Sequence, residues 1–251
     1  MEKCYRCDAE ATSVDHVPPR CVFPEVKDLP QGVNFRKNLI TVPSCELHNT
    51  ARSHDDEYLL CVLVTHSDNN DVARNHFQTK ILRLLGKKPW FQATLLDQLT
   101  PVMLNGEQTA AYRVDVTRVK NVLESVAHGL YFNTYKESWV NSINIIPLGL
   151  FKLEGQEFVR HPLEQALLQL AQGLFETTEK LGENPDVFFY QIHRDMEKGH
   201  LVMRMFFYGG FEIVALSSPQ DAEAVSETAV ENTTARLSPP RLGCNGAFRG
   251  K

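Results

Sequence analysis

Two short ligand pairs carry the strongest chemical signal in the chain: Cys4-Tyr5-Arg6-Cys7 near its start and Cys45-Glu46-Leu47-His48 further on. Two donors separated by two residues fit a tight turn whose donor atoms converge on one tetrahedral ion, and a second such pair closes the shell. Four protein ligands leave no position for water, so the ion would be a structural Zn2+ holding together the two ends of a long loop. The competing reading makes Cys45 a buried thiol and His48 a surface imidazole. The pairing of two motifs in a segment too small to bury its own core favours the metal. Inside the loop lie Asp15-His16-Val17-Pro18-Pro19 and then Asn38-Leu39-Ile40-Thr41-Val42-Pro43, and Asn49 follows the second pair directly. An Asp-His beside proline is by itself a common turn. Placed between two zinc pairs, with asparagines downstream, it meets the criterion of several chemical groups converging on one site.

The series Cys-x-x-Cys, Asp-His-x-x-Pro, Asn-Leu, Cys-x-x-His-Asn resembles the zinc-containing HNH endonucleases over about residues 4–58. The resemblance implies a ββα-metal, treble-clef-like module, two strands and a helix around one divalent cation. It assigns His16 as general base, a role suited to a side chain titrating near neutrality. It places Asp15 and Asn49 on a catalytic Mg2+ or Mn2+, cations that prefer hard oxygen donors. Asn49 stands where the last histidine of the family name would be, an HNN-type variant that favours hard cations further. Asn38 takes the place of the middle asparagine, positioning the loop and the His16 ring. Asn34 competes for that role, but Asn38 begins the NLITVP stretch. If His48 were instead the family's terminal catalytic histidine, the zinc shell would keep only three cysteines, so the structural assignment is preferred. Neighbouring side chains on a strand face opposite ways, so Asp15 and His16 need a strand end to share a site, and Pro18 and Pro19 supply it. Arg20, Arg36, Lys37 and Arg52 are the basic residues close enough in sequence to contact a phosphate backbone, with a solvated surface as the alternative.

The resemblance implies hydrolysis of phosphodiester bonds, in DNA in preference to RNA, and family habit in bacteria points to restriction or phage defence. The rival reading is a non-catalytic zinc module that binds nucleic acid or protein. A third is an adaptor carrying a degenerate nuclease remnant, against which the intact Asp-His pair speaks.

The whole chain has 251 residues, 43% hydrophobic and 23% charged, which suits one or two folded domains. A formal charge of −5 argues against coating nucleic acid by bulk electrostatics. Neither a signal-peptide stretch nor an apolar run of about 20 residues is visible, so the expected setting is cytoplasmic, without membrane contact and with reduced thiols.

The expected fold class is α+β: a zinc module over 1–58, a mixed helical and antiparallel-sheet domain over 59–217, and a tail over 218–251. The module's composition is that of loops and hairpins. From Asp55 the run DDEYLLCVLVTHSD reads as a buried helix, with Ser53 as cap and the acids complementing its dipole. Residues 70–98 read as helical with Ile81, Leu82, Leu84 and Leu85 on the apolar face, broken at Gly86 and Pro89. Residues 113–136 read as a helix through Val116, Val119, Val122, Leu123 and Val126. Residues 162–181 read as another, opening on Pro162 and burying Leu163, Ala166, Leu167, Leu170 and Leu174. DVFFYQIHR and LVMRMFFYGGFEIVALS read as a hairpin turning at Lys198-Gly199, and the apolar stretch closed by Gly155 as a third strand. The aromatic groups at 128–132 and 206–211 read as core in preference to base-stacking platforms. His66, His76, His161 and His193 read as surface or capping residues. The polar tail after Ser217 reads as disordered. The larger domain would serve target recognition, self-association or docking to a protein partner.

Overall fold

The computed structural model describes residues 2–49, 53–95, 99–104, 107–154, 157–159, 162–217 and 233–237. Near the start, β1 (Ser13–His16) and β2 (Thr41–Ser44) pair antiparallel, with Asp15 opposite Val42 and His16 opposite Thr41. One helical turn, α1 (Glu46–Asn49), follows β2, and α2 (Ser53–Val64) comes next. The helix expected from Asp55 is thus present, but its acids make tertiary ion pairs: Asp55 with Arg118 at 2.7 Å and Glu57 with Lys88 at 2.5 Å. Ser53 is the first described residue of the helix, and its side chain lies outside the described residues.

The second helical stretch runs as α3 (Asp71–His76), a π-helical segment over Phe77–Ile81 and α4 (Leu82–Leu85), then α5 (Pro89–Leu95). Asn70 caps it, its side chain accepting from the Val72 and Ala73 N–H groups. Ile81 and Leu85 are buried as expected, but Leu82 is 49% exposed. The extra residue of a π turn rotates the turns beyond it, so a strict 3.6 period misplaces Leu82. After α5 come β3 (Thr100–Leu104) and β4 (Glu107–Arg113), a hairpin with no expectation from the sequence, and then α6 (Val116–Tyr135). Asp115 caps α6, and Val119, Val122, Leu123 and Val126 are buried.

The apolar stretch ending at Gly155 is not one strand. It divides into β5 (Asn144–Pro147) and β6 (Phe151–Glu154), which join different sheets, and β7 (Glu157–Val159) pairs with β6. Pro147 breaks the run, since it has no N–H to continue the ladder. The next helix, α7 (Pro162–Phe175), stops six residues short of the expected end, and β8 (Leu181–Asn184) follows. It buries Ala171 and Phe175 while Leu170 is 70% exposed and Leu174 41%, and Ala166 is exposed as well, so three residues of the predicted apolar face point outward. The side chains of Leu163 and Leu167 lie outside the described residues.

The hairpin across Lys198-Gly199 is β9 (Phe188–Asp195) with β10 (His200–Phe207), while β11 (Phe211–Ser217) is a separate strand beyond Tyr208-Gly209-Gly210. The order β5-β11-β10-β9-β8 makes an antiparallel sheet. Its inner face packs Tyr190, Met203, Met205, Phe207 and Ile213 against α2 and α6. On its other face Leu148 and Val214 meet Ala171 and Phe175 of α7. A second antiparallel sheet has the order β3-β4-β12-β6-β7, where β12 (Thr233–Leu237) comes from the segment expected to be disordered. The remainder of that tail lies outside the described residues. The architecture is mixed α+β. No helix among the described residues is long and apolar enough to cross a membrane.

The aromatic groups belong to the core: Leu130, Tyr131, Phe207, Tyr208 and Phe211 are all at or below 1% exposure. His66 and His76, expected as surface or capping residues, are buried at 3% and 0%, and His66 Nδ1 accepts from the Asp68 N–H. The Tyr208 hydroxyl donates to the Val22 carbonyl and lies 3.0 Å from His76 Nδ1, so Nδ1 must carry the proton and donate to the phenol. Nε2 of His76 is buried without a hydrogen-bond partner among the described residues. Burial, aided by Lys80 and Arg36 and opposed by Asp28 and Glu25, lowers the His76 pKa to about 3. A folded pKa below the unfolded one means the unfolded chain binds the extra proton. Stability from this residue is therefore complete above about pH 6.5 and drains away towards pH 3. Between pH 7 and pH 5 the loss should reach about 2 kcal/mol. Urea unfolding at the two pH values should show that difference, and His76→Gln should remove most of it.

The segment beyond β1 packs onto α6 at a glycine. A Cβ at Gly129 would lie 2.5 Å from Val17 Cγ1, so only glycine lets the end of β1 approach the helix. Gly129→Ala should destabilise by about 1–3 kcal/mol despite the better helix former. Gly173 in α7 has nothing within 4 Å of such a Cβ, and Gly173→Ala should stabilise by up to about 1 kcal/mol. Thermal or urea unfolding of both variants checks the contrast.

Candidate metal centre

The chain around the first ligand pair is pinned by its backbone. Cys4 N–H donates to the Ala9 carbonyl at 2.9 Å, and Tyr5 N–H donates to the Pro43 carbonyl on β2 at 2.8 Å. The second pair opens α1, where the His48 N–H donates to the Cys45 carbonyl. These anchors bring Cys4, Cys7, Cys45 and His48 together, with one donor atom from each lying within 4.8 Å of every other. Nδ1 of His48 sits 3.4, 3.5 and 3.3 Å from the sulfurs of Cys4, Cys7 and Cys45, and Cys7 and Cys45 are 3.8 Å apart.

With Zn–S of about 2.3 Å and Zn–N of about 2.0 Å, a tetrahedral ion sets S···S at about 3.8 Å and S···N at about 3.5 Å. The donor set and its edges suit zinc. A disulfide would need the sulfurs at about 2.05 Å, and Cys4, Cys7 and Cys45 are all free. Burial pushes the Cys4 thiol up, but N–H groups of Arg6, Cys45 and Cys7 aimed at its sulfur outweigh this and hold it below its ordinary value. The neighbouring Cys7 thiol moves the other way: against a hydrogen bond from the Ala9 N–H, burial and the Cys45 and Cys4 sulfurs push it up. Under the cluster lies a small core of Cys4, Tyr5, Val17, Val42 and Cys45. Arg6, between the first two ligands, reaches α6, donating to Ser125 Oγ at 2.6 Å and to Glu124 at 2.8 Å.

Asp15 and His16 end β1, Asp15 buried at 8% and His16 half-buried. The Tyr5 hydroxyl stands 3.5 Å from Asp15 Oδ2. Burial, together with the charges of Arg20 and Arg36 and against that of Asp15, lowers the His16 pKa and favours the unprotonated ring. Asn49 folds back onto the same strand: its Nδ2 donates to Ser13 Oγ at 2.8 Å and to the Val14 carbonyl at 3.2 Å. With its nitrogen used on β1, the amide keeps its oxygen as a neutral hard donor.

Asn38 has φ of 52°, is exposed, and makes no side-chain hydrogen bond among the described residues, so the described contacts do not tie it to His16. Left-handed backbone is a conformation asparagine tolerates well. Asn34 makes a local turn, accepting from the Arg36 N–H. Of the basic residues, Arg36 is engaged with the Phe23 carbonyl and Glu25. Arg20 and Lys37 are exposed, and Arg20 has no carboxylate partner among the described residues. Arg52 lies outside the described residues. Sequence reasoning passed over Tyr5, Arg6 and Ser13. The signal was their position, inside the first ligand turn and two residues before Asp15.

Comparison of the chain with protein-family models, with curated proteins and with solved structures finds no match.

Proposed function

We propose that this protein is a zinc-stapled HNH-type endonuclease hydrolysing phosphodiester bonds in DNA. The observation that most supports the reading is the return of Asn49 onto β1, the strand that carries Asp15 and His16, where it bonds Ser13 and Val14, through a turn that holds two members of the Cys/His cluster. Strand, strand and helix then follow in the order the ββα-metal site requires.

In this reading His16 takes the proton of the attacking water as general base, and the phosphorus–oxygen bond on the far side breaks. Asp15 and Asn49 are the residues that would hold a Mg2+ or Mn2+ through their oxygens. When bound, such a cation would supply Lewis-acid polarisation of the phosphate and charge stabilisation at the leaving oxygen. Arg20, exposed beside His16 and unpaired among the described residues, is the basic residue best placed for a phosphate, whereas Arg36 is already engaged. The acidic net charge makes such local contacts, and a protein partner or a second copy bound through the larger domain, more important than bulk attraction.

The test is incubation of the zinc-loaded protein with supercoiled plasmid and Mn2+ or Mg2+. Nicking that stops with chelation of the added cation is expected. DNA binding without cleavage under every cation condition would favour the non-catalytic zinc module instead.

A further inference from the structure

Tyr5 sits between the first two ligands, is 0% exposed, and is anchored twice, by its N–H on Pro43 and by its neighbours Cys4 and Cys7 in the cluster. Its ring lies 6.5 Å from that of His48, and its hydroxyl reaches across to Asp15 Oδ2 at 3.5 Å, both groups being buried. A phenol in a core needs a polar partner. A carboxylate that accepts a hydrogen bond from a fixed donor has its rotamer fixed too, and partners behind a ligating group characteristically set metal affinity.

We propose that Tyr5 is a positioning residue: it transmits the geometry of the Cys4–Cys7 turn to the Asp15 carboxylate, so that the structural zinc governs the affinity of the second cation site. This rests on the placement of Asp15 at that site under the proposed function. Two metal sites that share no ligand are thereby coupled through one hydroxyl. Loss of that hydroxyl leaves the cluster intact and removes one of the contacts that keep the carboxylate in register.

The experiment is titration of Mn2+ into zinc-loaded, full-length wild type, Tyr5→Phe and Asp15→Asn, read by calorimetry and by the Mn2+ spin-resonance signal. Zinc content and the unfolding midpoint are measured on each. Tyr5→Phe should keep about one zinc per chain and bind Mn2+ about 10-fold more weakly, within the range seen for partners of metal ligands. Asp15→Asn should bind it far more weakly still. Unchanged Mn2+ affinity in Tyr5→Phe beside lost affinity in Asp15→Asn would overturn the role of Tyr5 while leaving the cation site standing. Unchanged affinity in Asp15→Asn would remove the cation from Asp15, and the role of Tyr5 with it. A Tyr5→Phe protein that loses zinc or unfolds would assign the hydroxyl to the cluster's stability and overturn the proposal.

Discussion

Under the proposed nuclease reading, His16→Ala should reduce plasmid cleavage by about 10²–10⁴-fold, the usual worth of a positioned general base, while leaving zinc content and fold unchanged. The ring is half-buried at the end of β1, so its removal leaves the strand pairing with β2 intact. Backbone bonds such as Val17 N–H to the Ile40 carbonyl, at 3.1 Å, hold that end independently of the side chain. The readout is single-turnover nicking with saturating Mn2+, accompanied by zinc analysis and a circular-dichroism spectrum. Equal nicking by both proteins would mean that the water is activated elsewhere or that a contaminant cuts.

Zinc removal should have the larger effect on structure. The core beneath the cluster is only a handful of residues, Cys4, Tyr5, Val17, Val42 and Cys45, too few to hold the segment alone. Cys45→Ser should lower zinc content well below one equivalent and expose the β1–β2 hairpin to protease. The main core around α2, α6 and the β5-β11-β10-β9-β8 sheet is contributed largely from outside this segment and should survive. Its integrity would appear as a retained cooperative unfolding transition, while cleavage falls to background because Asp15, His16 and Asn49 lose their common frame. Limited proteolysis with mass mapping of the cut sites checks this, with cuts expected at residues 8–50. A Cys45→Ser protein as resistant as wild type would show that the segment does not depend on the ion.

The parts of this fold that were legible in the sequence share a cause: their signal is local. Ligand spacing depends on one turn, so Cys4, Cys7, Cys45 and His48 are recognisable as one set from their spacing alone. Likewise α6 carries a long apolar period, and α2 a continuous apolar run opened by acidic residues. The features that were not legible depend on distant partners. His76 is buried because Tyr208, 132 residues away, gives its ring a partner, and nothing near His76 announces this. The division of β5 from β6 reflects two sheets competing for one apolar run, and β12 is recruited between β4 and β6 from a polar segment. α7 buries Ala171 and Phe175 against Leu148 and Val214 and leaves Leu170 outside, a choice set by the sheet surface it meets. Within the candidate site, Asp15 and His16 were visible as a motif. Tyr5 was not, because a tyrosine between two cysteines carries no spacing signal of its own.

X-ray absorption at the zinc edge of the purified protein reads the donor shell directly. Three sulfurs at about 2.3 Å and one nitrogen at about 2.0 Å, lost in Cys45→Ser, are expected. A shell of oxygen and nitrogen alone, or a protein that carries no zinc after expression in its presence, would contradict the clasp on which the arrangement of Asp15, His16 and Asn49 depends.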